Sequence, residues 1–390
     1  MARSCIVETR EPGISRRRLL AHASRGAIGA SAASLLGASA AQARPADPAA
    51  PGPGAQRLSI AQLQKWEALG YGMFISFGMS TFQSNEYPDG TQAATVYAPD
   101  RLDVDQWISV ARDAGMKYAV LTAKHVAGHC LWPSKVTDYT VAVSGNTTDV
   151  VEQFVKACQK RGVNPGLYYC SWDNRNRFGS RTPSDPDSNV FIEKPDFTKL
   201  KDGLPIYLKN GKTYRYSYTT SLFQDFVTDQ ITELLTRYGP IAEVWLDIPG
   251  VLGQGYRSFL YQRIAQLQPE TVVVTNSGIN TGDPYRVDYA WPADVIGIEI
   301  KLPPESGHTR WRTIEGKQYY LPGECCQPLG KAWFYSPSDH PRPIQELADL
   351  FTTVRGRGMN LLLNVPPDMH GLIPDESVQA VQRLSKRVGL

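Results

Sequence analysis

Histidine and cysteine are both scarce in this chain, six of each in 390 residues, and that scarcity narrows the chemistry at once. Five histidines follow residue 43, and the one close pair, His125 and His129, lacks the acid that accompanies a zinc-binding helix, so no metal centre is expected. The cysteines beyond residue 43 are Cys130, Cys158, Cys170, Cys325 and Cys326. Their odd number and lack of metal spacing argue against a disulfide framework, although one bridge in an oxidising compartment stays open. The adjacent Cys325 and Cys326 lack the two-residue spacer of a redox pair and read as packing at a strand end. No Gly-x-Ser-x-Gly elbow marks a serine hydrolase. No glycine-rich turn follows the first strand to seat a dinucleotide, and nothing else asks for a cofactor. There is no internal repeat, and past the N-terminal segment no apolar run is long enough to span a membrane.

The N-terminal segment reads as an address rather than a membrane anchor, being too short and too weakly apolar to span comfortably. Ser15-Arg16-Arg17-Arg18-Leu19-Leu20 precedes a Gly/Ala/Ser/Leu stretch from Gly26 to Ala40 and the small-residue site Ala41-Gln42-Ala43, the pattern of a cleaved twin-arginine export signal over residues 1–43. Export to the periplasm or the exterior is expected, with no membrane attachment after cleavage. The whole chain carries 41 basic and 38 acidic residues, but this segment holds six Arg and two Glu, leaving 35 against 36. The positive charge therefore leaves with the signal and gives no reason to expect nucleic acid as a partner. Residues 44–56, rich in Pro, Ala and Gly, read as a flexible leader. The sequence does not speak to oligomeric state.

From residue 57 onward, strand and helix patterns alternate. Short apolar runs predict strands at 72–78, 118–125, 166–170, 243–247, 271–276, 295–299, 319–324 and 360–365. Helical periodicity covers 58–69, 102–115, 149–162, 221–238, 256–268, 344–356 and 375–387, with Asp149 and Gly162 as start and stop signals of the third. The polar interval 171–220 is too long for a simple connection and reads as a functional loop. Eight strands interleaved with helices predict an α/β fold, a single (β/α)8-like TIM barrel over residues 57–390.

In such a barrel the strand ends share one face, so residues far apart in sequence meet there. Glu243-Val244-Trp245-Leu246-Asp247 is a buried strand that delivers one carboxylate into a Pro-Gly turn, although Asp247 could equally cap the next helix. Other polar strand ends are His125, Trp172 with Asp173, Asn276, Glu299, Glu324 and Asn364. Flat faces for a sugar ring are plentiful at Trp132, Tyr168, Tyr169, Trp172, Trp245, Trp291, Trp311 and Trp333. Carboxylates among aromatics favour glycoside hydrolysis, in which one carboxylate attacks and another protonates the leaving oxygen. The expected partner is an oligosaccharide or other glycoside.

An ordered set of motifs sharpens this reading. Gly72-Met73-Phe74-Ile75-Ser76-Phe77-Gly78, Leu121-Thr122-Ala123-Lys124-His125, Cys130-Leu131-Trp132-Pro133-Ser134-Lys135, Gly166-Leu167-Tyr168-Tyr169, Val244-Trp245-Leu246-Asp247 and Asn360-Leu361-Leu362-Leu363-Asn364-Val365-Pro366-Pro367 together resemble the family-29 glycoside hydrolases, the α-L-fucosidases. The resemblance runs from about Gln64 to the C-terminus. It implies the barrel, a retaining mechanism and Asp247 as nucleophile. The β-sandwich that many relatives append has no counterpart in the sequence. For the acid/base, whose position varies among relatives, Glu299 is the first choice, 52 residues beyond Asp247 on the second strand downstream, with Glu324 and Glu305 behind it. An ion pair with Lys301 is the plainer role for Glu299. The sugar site is expected to draw on Ser76, His125, His129, Trp132, Tyr169, Trp172 and Glu324.

Departures from the family bear on the sugar. Relatives place a histidine where this chain has Ser76, and read Lys-His-His-Asp-Gly-Phe where it has Lys124-His125-Val126-Ala127-Gly128-His129. Each lost buried hydrogen-bond partner costs about 1 to 3 kcal/mol. Two alternatives therefore stand beside a fucosidase. One is the same mechanism on another glycone, such as an α-L-galactoside, α-L-glucoside or α-xyloside, and the other is a glycan-binding protein without turnover.

Overall fold

The computed structural model describes residues 52–176, 196–201, 204–209, 212–214, 221–276 and 290–390. The segments expected as an export signal and most of the expected leader lie outside the described residues. Eight parallel strands form the closed barrel: β1 (Tyr71–Ile75), β2 (Tyr118–Lys124), β3 (Asn164–Cys170), β4 (Glu243–Asp247), β5 (Val272–Asn276), β6 (Val295–Glu299), β7 (Gly323–Pro328) and β8 (Met359–Asn364). Each pairs with its sequence neighbours, and β1 closes on β8. The strands are apolar almost throughout because helices cover one face and the barrel interior the other.

Local signals set the helix boundaries. Helix α1 (Ile60–Glu67) opens on a capping box in which Ser59 and Gln62 satisfy each other's backbone amides. Helices α2 (Val104–Asp113) and α3 (Val150–Arg161) start on Asp103 and Asp149, whose side chains accept from the amides of Gln106 and Glu152. Helices α4 (Ser221–Arg237), α5 (Gln254–Leu267), α6 (Ile344–Gly356) and α7 (Asp375–Val388) complete the described ring. Between β6 and β7 the described crossover is an antiparallel hairpin, Trp311–Ile314 with Lys317–Tyr320. The interval expected as a loop includes three short antiparallel strands, at Asp196–Lys201, Leu204–Lys209 and Lys212–Tyr214.

One strand boundary corrects the sequence reading. The run 319–324 splits at Leu321-Pro322: its first half belongs to the hairpin and the barrel strand begins only at Gly323. Proline has no amide to give to a ladder, so the break falls there. Glu324 consequently sits near the start of β7, at the end of the barrel away from the tips that carry Asp247 and Glu299.

The barrel interior is filled by large side chains made possible by small partners. Tyr118 reaches inward because residue 72 is glycine: a Cβ there would stand 2.5 Å from the Tyr118 ring. Its hydroxyl donates to Glu324 Oε2 at 2.6 Å, and the Trp245 indole donates to Glu324 Oε1 at 2.9 Å. Glu243 accepts from the Trp66 indole at 3.0 Å. This lower layer supports the floor of the mouth. All five described cysteines are buried and free, so none of them forms a bridge.

Candidate active site

Three adjacent strands end on polar side chains: β4 on Asp247, β5 on Asn276 and β6 on Glu299. The two carboxylates are thus two strand spacings apart, roughly 10 Å at the backbone. Asn276 stands between them. Its amide donates to Asp247 Oδ1 at 2.8 Å and also hydrogen-bonds Glu299.

Asp247 is held by three donors. Besides Asn276 it accepts the Tyr168 hydroxyl at Oδ2, 2.6 Å away, and the amide of Ile248 at Oδ1, 2.8 Å away. Burial pushes its pKa up, while these hydrogen bonds pull it down. Glu299 is pushed well above the ordinary carboxylate range, first by burial and then by the charges of Asp247 and Glu86, against the single pull of Asn276. The environment separates the two groups: Asp247, under three donors, is the better-stabilised anion, and Glu299 is the better holder of a proton.

The cavity around them is lined by Phe74, Ser76, Glu86, Tyr87, Thr122, His125, Tyr168, Trp245, Asp247, Ile248, Glu299, Trp333 and Phe334. Its walls are aromatic: Tyr168 stacks on Trp245 at 5.4 Å between ring centres, Phe74 touches both, and Phe334 meets His125 edge-on at 4.9 Å. Burial and the neighbouring Lys124 push His125 down to about 3, so it is neutral. One ring nitrogen bonds the Glu86 carbonyl, and Nδ1 has no partner among the described residues.

Of the residues expected from sequence, the structure brings Ser76, His125, Asp247 and Glu299 to this cavity, together with Tyr168, Trp245 and Trp333 of the expected aromatic faces. Five of the expected sugar-site residues lie elsewhere. His129 is buried with Nε2 against the Ser144 hydroxyl at 2.8 Å. Trp132 is fully buried and donates to Glu233, and Trp172, equally buried, donates to Asn174. Tyr169 faces outward to Gln230. Glu324 lies below the floor, bound to Tyr118 and Trp245. Glu86, Tyr87 and Phe334 reach the site unannounced, from loops without periodicity.

Tyr168 rather than Tyr169 lines the cavity because of strand parity. Trp245 and Asp247, two apart on β4, face the same way, and Tyr168 pairs with Trp245 in register. A bulge decides the equivalent choice on β2. Thr122 pairs with Tyr168, but Lys124 pairs with Tyr169, so the extra residue turns Lys124 outward and leaves His125 to enter the mouth. Lys124 is instead locked in a fully buried ion pair with Asp173 at 2.9 Å, its ammonium over the Tyr169 ring at 4.4 Å.

A closed parallel barrel whose mouth holds two carboxylates with separated proton affinities among aromatic rings defines a class, the barrel glycosidases. The α-L-fucosidase family profile matches residues 60–388, and the chain belongs to that family. α-L-Fucosidase 1 of Arabidopsis thaliana is 30% identical over 357 residues, 84% of this chain and 60% of that protein. The chain thus spans about three fifths of the length of that curated relative. The fold is shared with α-L-fucosidase isoenzyme 1 of Paenibacillus thiaminolyticus, at TM-score 0.64 and 24% identity over 84% of this chain and 75% of that one. It is shared as well with the unliganded α-L-fucosidase of Lactobacillus casei, at TM-score 0.62 and 20% identity over 84% of this chain and 98% of that one.

Proposed function

We propose that the protein is an exo-glycosidase that removes a terminal sugar with retention of configuration, and that L-fucose is its first candidate glycone. The observation that carries the reading is Asp247 under three donors, joined through Asn276 to a Glu299 of higher proton affinity. In the first step Asp247 attacks the anomeric carbon while Glu299 gives its proton to the departing glycosidic oxygen. In the second step Glu299 takes a proton from water, whose oxygen displaces Asp247 from the anomeric carbon. Neutral His125, Glu86 and Ser76 bind hydroxyls, and Tyr168, Trp245, Trp333 and Phe334 enclose the ring. Export by the twin-arginine route belongs to the same proposal, supported by residues 15–43.

Ser76 favours a second reading, the same chemistry on another glycone. It lines the cavity where relatives carry an imidazole, and a small hydroxyl leaves that spot roomier. Hydrolysis of aryl α-glycosides of L-fucose, L-galactose, L-glucose, D-xylose and L-arabinose, with Asp247→Asn as control, tests both. Turnover of the fucoside alone, lost in Asp247→Asn while binding persists, supports the first reading, and turnover of another member supports the second. Binding without turnover of any of them, unchanged in Asp247→Asn, refutes both in favour of a glycan-binding protein.

A further inference from the structure

Four described residues other than glycine have positive φ: Ser84, Ile248, Ile300 and Glu315. Two have ordinary explanations. Ser84 ends a short helix as its left-handed cap, and Glu315 precedes Gly316 in the two-residue turn of the hairpin. The isoleucines have none, since a β-branched side chain at positive φ is an outlier. Each directly follows one carboxylate of the pair.

At Ile248, φ is 47 and ψ is 50, and its amide donates to Asp247 Oδ1. At Ile300, φ is 63, and Lys301 N–H donates to the Glu299 carbonyl at 2.6 Å across it, a γ-turn of the rare positive-φ kind. The Ile300 amide is pinned to the Cys326 carbonyl on β7 at 3.1 Å. Its side chain is 44% exposed, so core packing does not account for its identity.

We propose that Ile248 and Ile300 are positioning residues, whose strained left-handed turns fix the direction in which Asp247 and Glu299 enter the cavity. The left-handed well of a branched residue is narrow, whereas glycine ranges over most of the positive-φ half. With both pins intact, glycine at 300 would let the Glu299 backbone drift, and isoleucine does not. Strain retained beside reacting groups is the expected signature of such a role. Ile248 lines the cavity, so its substitution would also alter binding. Ile300 gives the cleaner test.

The inference rests on Glu299 as the general acid, and the experiment separates the two. kcat/KM is measured on a 2,4-dinitrophenyl glycoside, whose leaving group needs no proton, and on the methyl glycoside of the same sugar. L-Fucose is used, or the member of the panel that is cleaved. Glu299→Gln should lose activity on the methyl glycoside only. If it loses none, or loses equally on both, the assignment of Glu299 fails and the inference falls with it. With Glu299 secure, Ile300→Gly should unfold at the same or a higher temperature. It should lose between about tenfold and about a hundredfold on the methyl glycoside, as for a small misplacement of a catalytic group. It should change little on the dinitrophenyl glycoside, and Ile300→Val, which keeps the branch, should restore activity. Unchanged kcat/KM on both substrates in Ile300→Gly overturns the proposal. So does an equal loss on both accompanied by a lower unfolding temperature.

Discussion

Tyr168→Phe removes one oxygen and leaves the ring that stacks on Trp245, so its effect isolates the hydrogen bond to Asp247. That bond is 2.6 Å long and runs from a phenol that burial and Asp247 keep protonated far beyond neutral pH. A hydrogen bond to a charged group contributes about 1.5 to 3 kcal/mol. One pKa unit corresponds to about 1.4 kcal/mol, so losing the donor should raise the pKa of Asp247 by about one to two units. The sign follows from the role. Asp247 attacks only when ionised, its donors favour the ionised form, and removing one moves the onset of activity to higher pH. In a profile of kcat/KM against pH the acid limb should move up by that amount. The basic limb, set by Glu299, should stay in place. Fold stability should fall by a comparable amount where Asp247 is ionised and change little at low pH, because Phe fills the same space. If the acid limb does not move, either Asp247 is not the group that titrates or Tyr168 does not govern it, and the reading of the site fails.

Two further predictions concern the support beneath and behind the mouth. Burial and the nearby Glu324 raise Glu243 well above its ordinary value of 4.5, and burial raises Glu324 to about 7. Groups whose folded pKa is raised cost nothing below the unfolded value, and they draw down stability as pH climbs from there through the folded value. Glu243→Gln, which mimics the protonated acid, should match the parent's unfolding temperature near pH 4 and exceed it near pH 8, a pH window set by those shifts. An equal difference at both pH values would refute the shared-charge account. Behind the mouth, Lys124→Met should destabilise by about 3 to 5 kcal/mol in urea unfolding, because it strands Asp173 as a buried charge. Adding Asp173→Asn should recover part of that loss, and strictly additive losses would contradict it.

How much of this was legible in the sequence depends on which spacing a residue obeys. The barrel was legible because its strands are uninterrupted apolar runs whose stops coincide with Asp, Gly and Pro signals. Asp247 and Glu299 were legible because each ends such a run. Adjacent residues were not separable: Tyr168 and Tyr169, or Lys124 and His125, differ by one position, and one position reverses the face. The deciding facts are the pairing of Tyr168 with Trp245 and the bulge between Thr122 and Lys124, both properties of two strands together. The aromatic count misled for a related reason. Trp132 and Trp172 are large, and a buried indole satisfies itself with one carboxylate or amide, so neither needs a ligand. Glu86 lies on a loop with no period at all, and only the closed barrel carries it to within reach of Glu299. The same closure turns Glu324 from an expected sugar contact into a prop for Trp245. An acid two residues into a parallel strand lies several ångströms below the tip, and the Leu321-Pro322 break is what places it there.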